Sequence, residues 1–291
     1  MKENYLPKIS ILTPSYNQGK YIEENILSVL NQNYPNFEHI IIDGGSTDNT
    51  VDILKKYPHL KWVSEKDEGQ SDAYNKGLKM ASGDLVLCLN SDDYLLNENV
   101  FSEVIKKISK TKYDQFSAFM GNIIVSDEYG NKIGEMNNRN RDFSFNDLLN
   151  ELPVVIHPGT FFNVNILKQV GGFANDIHYV MDYDIFLKCA KVKPIHSINV
   201  FISALRRHKT SKGCSKDNWK FSYEFLKVRK KYGGSIFNKM SLQPLKIIIY
   251  KYILGYKFVE WAKQNKLIYS IAKFSGVTKL NSLTWYEKKN N

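Results

Sequence analysis

The stretch Leu85-Val86-Leu87-Cys88-Leu89-Asn90-Ser91-Asp92-Asp93 begins with five apolar residues and ends in an amide, a hydroxyl and two adjacent carboxylates. The apolar run predicts a buried strand. If that strand brings Asp92 and Asp93 side by side to a sheet edge, the two negative charges repel each other unless a cation binds there. Oxygen-rich sites of this kind suit Mg2+ or Mn2+, usually shared with a substrate phosphate. The alternative is a solvated polar loop.

The same order of apolar strand, polar loop and helix occurs three times before this stretch. The predicted strands cover residues 9–12, 39–42 and 61–64, and helical apolar spacing or helix-forming residues follow each polar loop. Repeated strand–helix units are typical of the α/β class, with a parallel sheet and right-handed crossovers. Ligands of such sheets bind at the carboxyl ends of the strands. We therefore expect the polar loops after Leu12, Ile42 and Leu89 to converge on one crevice.

The pattern changes after residue 95. The sequence predicts a helix over 100–108 and two strands, 117–125 and 132–134, joined by the turn sequence Asp127-Glu128-Tyr129-Gly130-Asn131. A further helix begins near Asp182, with acidic residues in its first turn, where the helix dipole favours them. A last strand, 195–205, leads into Arg206-Arg207-His208.

The charge of the chain is unevenly distributed. Residues 1–205 carry 20 Lys and Arg against 26 Asp and Glu, a net charge of −6, whereas residues 206–291 carry 20 against 4, a net charge of +16. The acidic first part argues against a protein whose body binds nucleic acid. Three distant cysteines form no metal or disulfide pattern and favour a reducing compartment. We expect neither a signal peptide nor a membrane span.

Four segments in order carry a family likeness: residues 11–17 (ILTPSYN), 42–48 (IDGGSTD), 73–77 (AYNKG) and 90–93 (NSDD). Together they resemble the family-2 glycosyltransferases of GT-A fold, and Gly171-Gly172-Phe173 with Met181-Asp182 resembles the acceptor-side segment of that family. The likeness covers roughly residues 8–210. It implies an inverting transferase that takes its sugar from a nucleotide donor, most often a uridine diphosphate sugar, and a bacterial role in surface polysaccharide or glycolipid assembly.

The resemblance also implies roles for residues of the donor half. Asp92 matches the position that contacts ribose, and Asp93 matches the ligand of a Mn2+ or Mg2+ ion that bridges the diphosphate. Asp43 would accept a hydrogen bond from the uracil N–H. The other residues expected on the donor side are Thr13, Pro14, Ser15, Asn17, Gly69 and Asn75. Asn75 could instead be a helix-packing residue.

On the acceptor side, Asp182 is the candidate general base, since a carboxylate at a helix start can accept the proton of an acceptor hydroxyl. Asp184 is the alternative, or it orients the acceptor or caps the helix. The resemblance implies that His208 completes the metal site, although a lone histidine is often structural. Arg206 suits a diphosphate, and His157 could line the acceptor pocket.

Two positions depart from the family pattern. Asn90 stands where many members carry a further Asp, and Met181 stands where an acidic residue often precedes the base. Neither is assigned to metal or base, so we expect activity to survive.

We expect a GT-A domain over residues 1–210, with a nucleotide-binding half near 8–95 and an acceptor half over 96–210. A basic, aromatic helical extension follows over 211–291. The extension is predicted to contain a helix over 219–232 and an apolar segment over 245–259 that is interrupted by lysines. It either lies on an anionic membrane or packs on the core. The protein would then act in the cytoplasm, either free or at the inner face of the membrane, on a saccharide or lipid-linked acceptor and without nucleic acid. The other readings are a nucleotidyltransferase, disfavoured by the absence of a Gly-rich triphosphate loop, and a non-catalytic nucleotide-sugar-binding protein or scaffold.

Overall fold

A computed structural model of the chain describes residues 6–108, 113–138, 140–151, 156–208, 211, 218–235, 238, 241, 242, 244 and 245. The chain divides into two compact units, Met1–His208 and Lys209–Asn291. All the strands and the helices α1 to α7 defined below belong to the first unit.

The strands are β1 (Ile9–Ser15), β2 (Phe37–Asp43), β3 (Lys61–Ser64), β4 (Leu85–Cys88), β5 (Tyr94–Leu95), β6 (Ala118–Ser126), β7 (Lys132–Met136), β8 (Thr160–Asn163) and β9 (Ile195–Arg206). The helices are α1 (Ile22–Leu30), α2 (Thr50–Leu54), α3 (Gln70–Met80), α4 (Val100–Ile108), α5 (Phe145–Asn150), α6 (Val164–Gln169), α7 (Met181–Val192) and α8 (Asn218–Lys231). Short 3-10 turns cover Tyr113–Gln115 and His157–Gly159.

The strands form one mixed sheet in the order β3-β2-β1-β4-β8-β6-β9-β5, and β7 pairs with β6. The first four strands are mutually parallel, with β1 between β2 and β4. The predicted α/β architecture is confirmed. The second half differs from the first because β8 runs antiparallel to β4 and β6, while β9 runs parallel to β6.

Apolar side chains fill both faces of the sheet, as expected for strands covered by helices. One cluster joins Ile9, Ile11, Leu85 and Leu87 to the buried face of α4. A second cluster joins α1, α2 and β2. On the opposite face, α3 packs closely over β1 and β2 because Gly77 has no side chain there: a Cβ atom would lie 3.3 Å from Leu12 Cδ2. The rigid sheet thus fixes the loops at its carboxyl end.

Three short elements do not follow from the apolar pattern. Helix α5 begins with a capping box in which Ser144 and Asp147 satisfy each other's backbone groups. Helix α6 begins after Asn163, whose side chain accepts hydrogen bonds from the N–H groups of Asn165 and Ile166. Strand β5 has two residues and pairs with β9. Side-chain caps and a long-range pairing form these elements, rather than a periodic apolar face.

The amino end of the sheet holds a buried carboxylate. Glu38 accepts hydrogen bonds from Ser10 Oγ at 2.6 Å, Lys61 Nζ at 2.7 Å and the Ser82 backbone N–H at 2.8 Å, and Lys8 Nζ lies at 3.2 Å. Burial by itself would raise the pKa of Glu38, but the bonds from Lys61, Ser10 and Ser82 outweigh it and lower the pKa to about 2. The negative charge of Glu38 is therefore compensated by two lysines, Lys8 and Lys61, and by hydrogen bonds from two serines.

In the second unit, α8 follows the predicted helix closely. Arg229 is buried; its Nε donates to Ser241 Oγ at 3.0 Å, and its guanidinium lies over the Phe225 ring. The apolar, lysine-punctuated segment expected over 245–259 lies outside the described residues except for Leu245. Among the helices described, none is both long and apolar enough to cross a membrane.

Candidate functional site

The first and second polar loops are joined to each other, as the convergence argument predicts. Asn17 adopts a positive φ of 52°, its N–H donates to Ser46 Oγ at 2.7 Å, and its Oδ1 accepts from the Thr47 N–H at 2.8 Å. Gly19 N–H donates to Asp48 Oδ2 at 3.0 Å. These bonds build one wall of a crevice from two strands. Asn17 therefore shapes the wall, and its side-chain oxygen already has a protein partner.

Asp43 ends β2 and is fully buried. Its Oδ2 accepts from Ser46 N–H at 2.9 Å and from Ser64 Oγ at 2.7 Å, and its Oδ1 accepts from Ser46 Oγ. We expected this carboxylate to accept a hydrogen bond from a nucleotide base. In the structure its oxygens hold the second loop and β3 in place.

The residues at the end of β1 differ in what they offer. The hydroxyl of Thr13 is buried against His39, with 2.9 Å between Thr13 Oγ1 and His39 Nε2. Pro14 is half-buried. The Ser15 hydroxyl is buried and has no hydrogen-bond partner within the described part of the chain. Tyr16, next to it, is 60% exposed. An exposed planar ring suits stacking on a nucleotide base.

At the carboxyl end of the sheet, Asp92 pairs with His208. Asp92 Oδ2 lies 2.9 Å from His208 Nε2, and the Asp92 side chain remains 21% exposed. The imidazole of His208 stacks on Tyr21, with 4.8 Å between ring centroids. The end of β4, the end of β9 and the start of α1 meet here, although they lie far apart in sequence. The carboxylate oxygens of Asp92 and the imidazole nitrogen of His208 therefore lie together at the same side of the crevice.

Asp93 has a different environment from its neighbour. It is 1% exposed, its Oδ1 accepts from the Arg206 N–H at 2.9 Å, and its Oδ2 accepts from Asn90 Nδ2 at 2.9 Å. Burial, and then the carboxylate of Asp92, raise the pKa of Asp93 well above its ordinary value, against the lowering effect of Arg206 and Asn90. We expected Asp93 to hold the metal and Asp92 to contact ribose. The geometry favours Asp92 for the metal and gives Asp93 two protein partners.

The expected phosphate-binding role of Arg206 is not what its contacts favour. The side chain is buried; Nε donates to Asp92 O at 2.9 Å, one terminal nitrogen donates to Glu128 O at 3.0 Å, and the other pairs with Glu24. The guanidinium lies between the rings of Tyr21 and Tyr94, 5.2 and 4.9 Å from their centroids. Arg206 therefore ties α1, the loop after β4 and the 127–131 turn together.

The donor set fits a divalent cation in part. A carboxylate and an imidazole suit Mn2+, which accepts both oxygen and nitrogen ligands. Within the residues that the structure describes, no three His, Cys, Asp or Glu side chains are grouped to hold a metal ion. Asp92 and His208 would thus supply two ligands, and the diphosphate of a donor would have to supply others.

Asn75, expected on the donor side, instead fixes the Gly-Gly-Phe turn. Its Nδ2 donates to Phe173 O at 2.8 Å, and its Oδ1 accepts from Phe173 N–H at 2.9 Å. Gly172 has a φ of +66°, and a Cβ atom there would lie 2.4 Å from Asn75 Oδ1. The alternative of a packing residue is the one that the contacts favour. Gly69 caps α3 with a φ of 113° and open space around it.

The two acidic residues of α7 are placed differently. Asp182 is half-buried, and its Oδ1 accepts from the Tyr183 N–H at 2.8 Å. Asp184 is fully buried and pairs with Lys188 Nζ at 3.1 Å, and the same nitrogen donates to Gly172 O at 2.9 Å. Asp184 thus supports the Gly-Gly-Phe turn from inside the fold, so of the two carboxylates Asp182 is the one more open to an acceptor.

His157 lies in an aromatic cluster with Tyr74, Phe162 and Phe173. Its Nε2 is buried with no hydrogen-bond partner among the described residues, and burial lowers the pKa of His157 to about 4. It is therefore a neutral imidazole. The Tyr74 hydroxyl donates to Asn90 Oδ1 at 2.8 Å, so the cluster lies directly behind the loop that carries Asp92.

Sequence reasoning missed Tyr21, Glu24, Asn25 and Glu128. Asn25 donates through Nδ2 to the backbone oxygens of Asn90 and Asp93, both at 2.9 Å, and so fixes the loop after β4. Asn25 lies on the buried face of α1, where an amide is unusual, and that position is the signal that could have identified it. Glu128 could not have been found, because only the folded turn brings it to Arg206.

Comparisons with known proteins identify the family and the fold. The sequence model of the family described as Glycosyl transferase family 2 matches residues 10–171. An uncharacterized glycosyltransferase of Mycobacterium tuberculosis is 31% identical over 191 residues, 64% of this chain and 70% of the relative. The chondroitin synthase of Escherichia coli is 30% identical over 201 residues, 67% of this chain but only 28% of that protein.

Two solved structures share the fold. TarS 1-349 of S. aureus, in complex with UDP-GlcNAc, matches with a TM-score of 0.58 and 18% identity, over 86% of this chain and 75% of that one. The mannosyltransferase PcManGT from Pyrobaculum calidifontis, in complex with GDP-Man and Mn2+, matches with a TM-score of 0.59 and 20% identity, over 98% and 82%. At these identities the likeness shows the fold.

Proposed function

The chain belongs to glycosyl transferase family 2 and is a glycosyltransferase; on this premise we propose that it transfers a sugar from a nucleoside-diphosphate donor to an acceptor hydroxyl with inversion. The observation that carries the proposal is the Asp92–His208 pair, 2.9 Å apart at the carboxyl ends of β4 and β9. A divalent cation bound there would neutralise the charge that develops on the leaving diphosphate. Activity is therefore proposed to depend on Mn2+ or Mg2+.

The nucleotide is proposed to lie against the first two loops. The exposed Tyr16 ring, next to the end of β1, supports a base site there. Uridine is the proposed base, and TarS binds UDP-GlcNAc. Because PcManGT binds GDP-Man, guanosine is the alternative to test.

Asp182 is the proposed general base. It stands in the first turn of α7, is half-buried, and has a neighbour, Asp184, that is committed to Lys188. Asp182 would accept the proton of the acceptor hydroxyl as that oxygen attacks the sugar from the face opposite the nucleotide. Asn75 and Lys188 hold the Gly-Gly-Phe turn from two sides and so fix the approach to α7.

The acceptor is proposed to be a saccharide, free or lipid-linked, in the assembly of a bacterial surface polysaccharide or glycolipid. Chondroitin synthase, by its name, makes a polysaccharide, and it supports this class of acceptor. The second unit is proposed as a basic extension that can contact an anionic membrane from the cytoplasm. In α8, Phe221 and Tyr223 are 47% and 58% exposed among several lysines. Co-sedimentation with phosphatidylglycerol vesicles, and not with phosphatidylcholine vesicles, would support the contact.

The experiment that tests the donor site is calorimetric titration with UDP and GDP, with and without Mn2+. His208→Gln should abolish the metal-dependent part of binding. His196→Gln is the matched control, because His196 Nδ1 lies 2.7 Å from Asp142 in a similar pair near the start of β9, whereas His208 lies just beyond the end of that strand. Equal, metal-independent binding by wild type and His208→Gln would overturn the proposed site. Metal-dependent binding of the nucleotide that is accompanied by neither sugar transfer to any acceptor nor slow donor hydrolysis would favour the non-catalytic alternative.

A further inference from the structure

The side chain of Asn90 makes three hydrogen bonds, all to protein. Its Oδ1 accepts from Gln70 Nε2 at 2.7 Å and from the Tyr74 hydroxyl at 2.8 Å. Its Nδ2 donates to Asp93 Oδ2 at 2.9 Å. Both sides of the amide are used, so its orientation is fixed: the oxygen faces α3 and the nitrogen faces Asp93. A carboxylate at this position could satisfy the two donors of α3 but has no N–H to donate to Asp93 Oδ2.

Asp93 connects Asn90 to the backbone beside the proposed metal ligands. The oxygen that does not face Asn90 accepts the backbone N–H of Arg206, two residues before His208. The Arg206 side chain in turn donates to the backbone oxygen of Asp92. A continuous set of hydrogen bonds therefore runs from α3 through Asn90 and Asp93 to the end of β9. It fixes the backbone on both sides of the Asp92–His208 pair.

We propose that Asn90 is a positioning residue for the Asp92–His208 metal pair, and that this chain requires an amide rather than a carboxylate at position 90. The inference rests on the proposed function. An aspartate at position 90 would place an oxygen 2.9 Å from Asp93 Oδ2, with Asp92 adjacent. Three carboxylates would then crowd one loop, and the hydrogen bond from Asn90 Nδ2 to Asp93 would be lost.

The test is Mn2+ binding in the presence of UDP, followed by the loss of the free Mn2+ signal in electron paramagnetic resonance. Although Asn90→Asp adds a potential oxygen ligand, it should weaken Mn2+ binding about tenfold or more, as losses of groups that orient metal ligands typically do. The charge-matched control is Asn97→Asp, seven residues further on. Asn97 is exposed, and its Oδ1 accepts from the Asn99 N–H at 2.8 Å, a bond that a carboxylate keeps.

The decisive variant is the double substitution Asn90→Asp/Asp93→Asn. It restores the hydrogen bond between the two positions with donor and acceptor exchanged, and it keeps one oxygen for the Arg206 N–H and one oxygen for the two donors of α3. It should therefore recover most of the Mn2+ affinity lost in Asn90→Asp. If Asp93 itself bound the metal, the double variant would bind no better than Asn90→Asp, and the inference would be overturned.

The outcomes separate this inference from the proposed function. Wild type that binds no Mn2+ in the presence of UDP or GDP would overturn both. Wild type that binds Mn2+ while Asn90→Asp binds it equally well or more tightly would overturn the positioning role alone. Tyr74→Phe gives an independent reading, because it removes one donor to Asn90 Oδ1 and keeps the ring. Tyr74→Phe should weaken Mn2+ binding less than Asn90→Asp does. A larger loss in Tyr74→Phe would contradict the proposal that Tyr74 acts on the metal site through Asn90.

Discussion

Two buried carboxylates, Glu38 and Asp93, lie at opposite ends of the parallel part of the sheet, and the negative charge of each is compensated very differently. At the amino end, Glu38 meets Lys8, Lys61 and two serines, and its pKa falls to about 2. At the carboxyl end, Asp93 is buried beside a second carboxylate, Asp92, and its pKa rises. The first arrangement favours the folded state. In the second arrangement, burial and the neighbouring carboxylate oppose the ionisation of Asp93, a pattern that is common at functional sites.

The comparison predicts that substitutions at the carboxyl end affect activity and those at the amino end affect stability. The largest expected effect is that of Asp182→Asn, which keeps the shape of the side chain and removes its basicity. It should lower kcat by about 10²- to 10⁴-fold, the usual contribution of a general base. Steady-state kinetics, with thermal melting and UDP titration as folding controls, would check this. Near-normal turnover would exclude Asp182 as the base.

Two buried neutral histidines predict a stability that depends on pH. Burial lowers the pKa of His39 to about 3 and that of His157 to about 4. Between pH 6.5 and 4 the unfolded chain binds more protons than the folded one, so stability falls as the pH is lowered. His157 alone should reduce the free energy of unfolding by about 3 kcal/mol at pH 4.

Urea unfolding of wild type and His157→Phe at pH values from 7.5 to 5 would measure this dependence. Because the variant lacks one titrating imidazole, its free energy of unfolding should fall less steeply below pH 6.5. Parallel curves for the two proteins would show that His157 is not buried as a neutral group. Glu38 should contribute to acid instability only below its unfolded pKa near 4.5, since its folded pKa is about 2.

Glu38→Gln tests whether the compensated carboxylate at the amino end contributes to stability alone. The substituted side chain can still accept from Ser10 and Ser82 but no longer pairs with Lys61 and Lys8. The free energy of unfolding should fall by about 2 kcal/mol, in the range of hydrogen bonds to charged groups. Denaturant titration would measure it. Metal-dependent UDP binding should be unchanged, and a loss of binding without a loss of stability would break the contrast between the two ends.

The smallest expected effect has the opposite sign. Asp92→Asn removes the charge that raises the pKa of Asp93 and keeps a hydrogen-bonding group near His208. It should raise the free energy of unfolding by about 1 kcal/mol, because relief of repulsion near a protein surface is of this order. The same denaturant titration would detect the gain. A destabilised Asp92→Asn would mean that the Asp92–His208 contact outweighs the repulsion.

Much of the fold and part of the site could be predicted from the sequence. The apolar runs before Thr13, Asp43 and Asn90 identified the first strands, and their order of appearance implied that the loops converge. The sequence could not show which of the adjacent Asp92 and Asp93 faces the crevice. The strand ends at Cys88, and side-chain alternation does not extend into the loop beyond it.

The roles of the long-range residues were equally hidden. Arg206 suits a diphosphate by its chemistry, yet Glu24 and Glu128, which lie far from it in sequence, bind its guanidinium. Asn75 was ambiguous for the same reason, because its partner Phe173 lies 98 residues away. Local pattern therefore predicted where polar groups gather, and tertiary contacts decided which of them remain available to a ligand.

The most direct test of the account is thermal melting with UDP, with and without Mn2+, on wild type, Glu38→Gln and Asp92→Asn. A ligand at about 100 times its dissociation constant adds about 2.7 kcal/mol, or about 5 °C or more in a domain of this size. We predict this shift for wild type and Glu38→Gln only when Mn2+ is present, and no such shift for Asp92→Asn. An equal shift in Asp92→Asn, or none in wild type with either UDP or GDP, would contradict a metal-assisted donor site at the carboxyl end of the sheet.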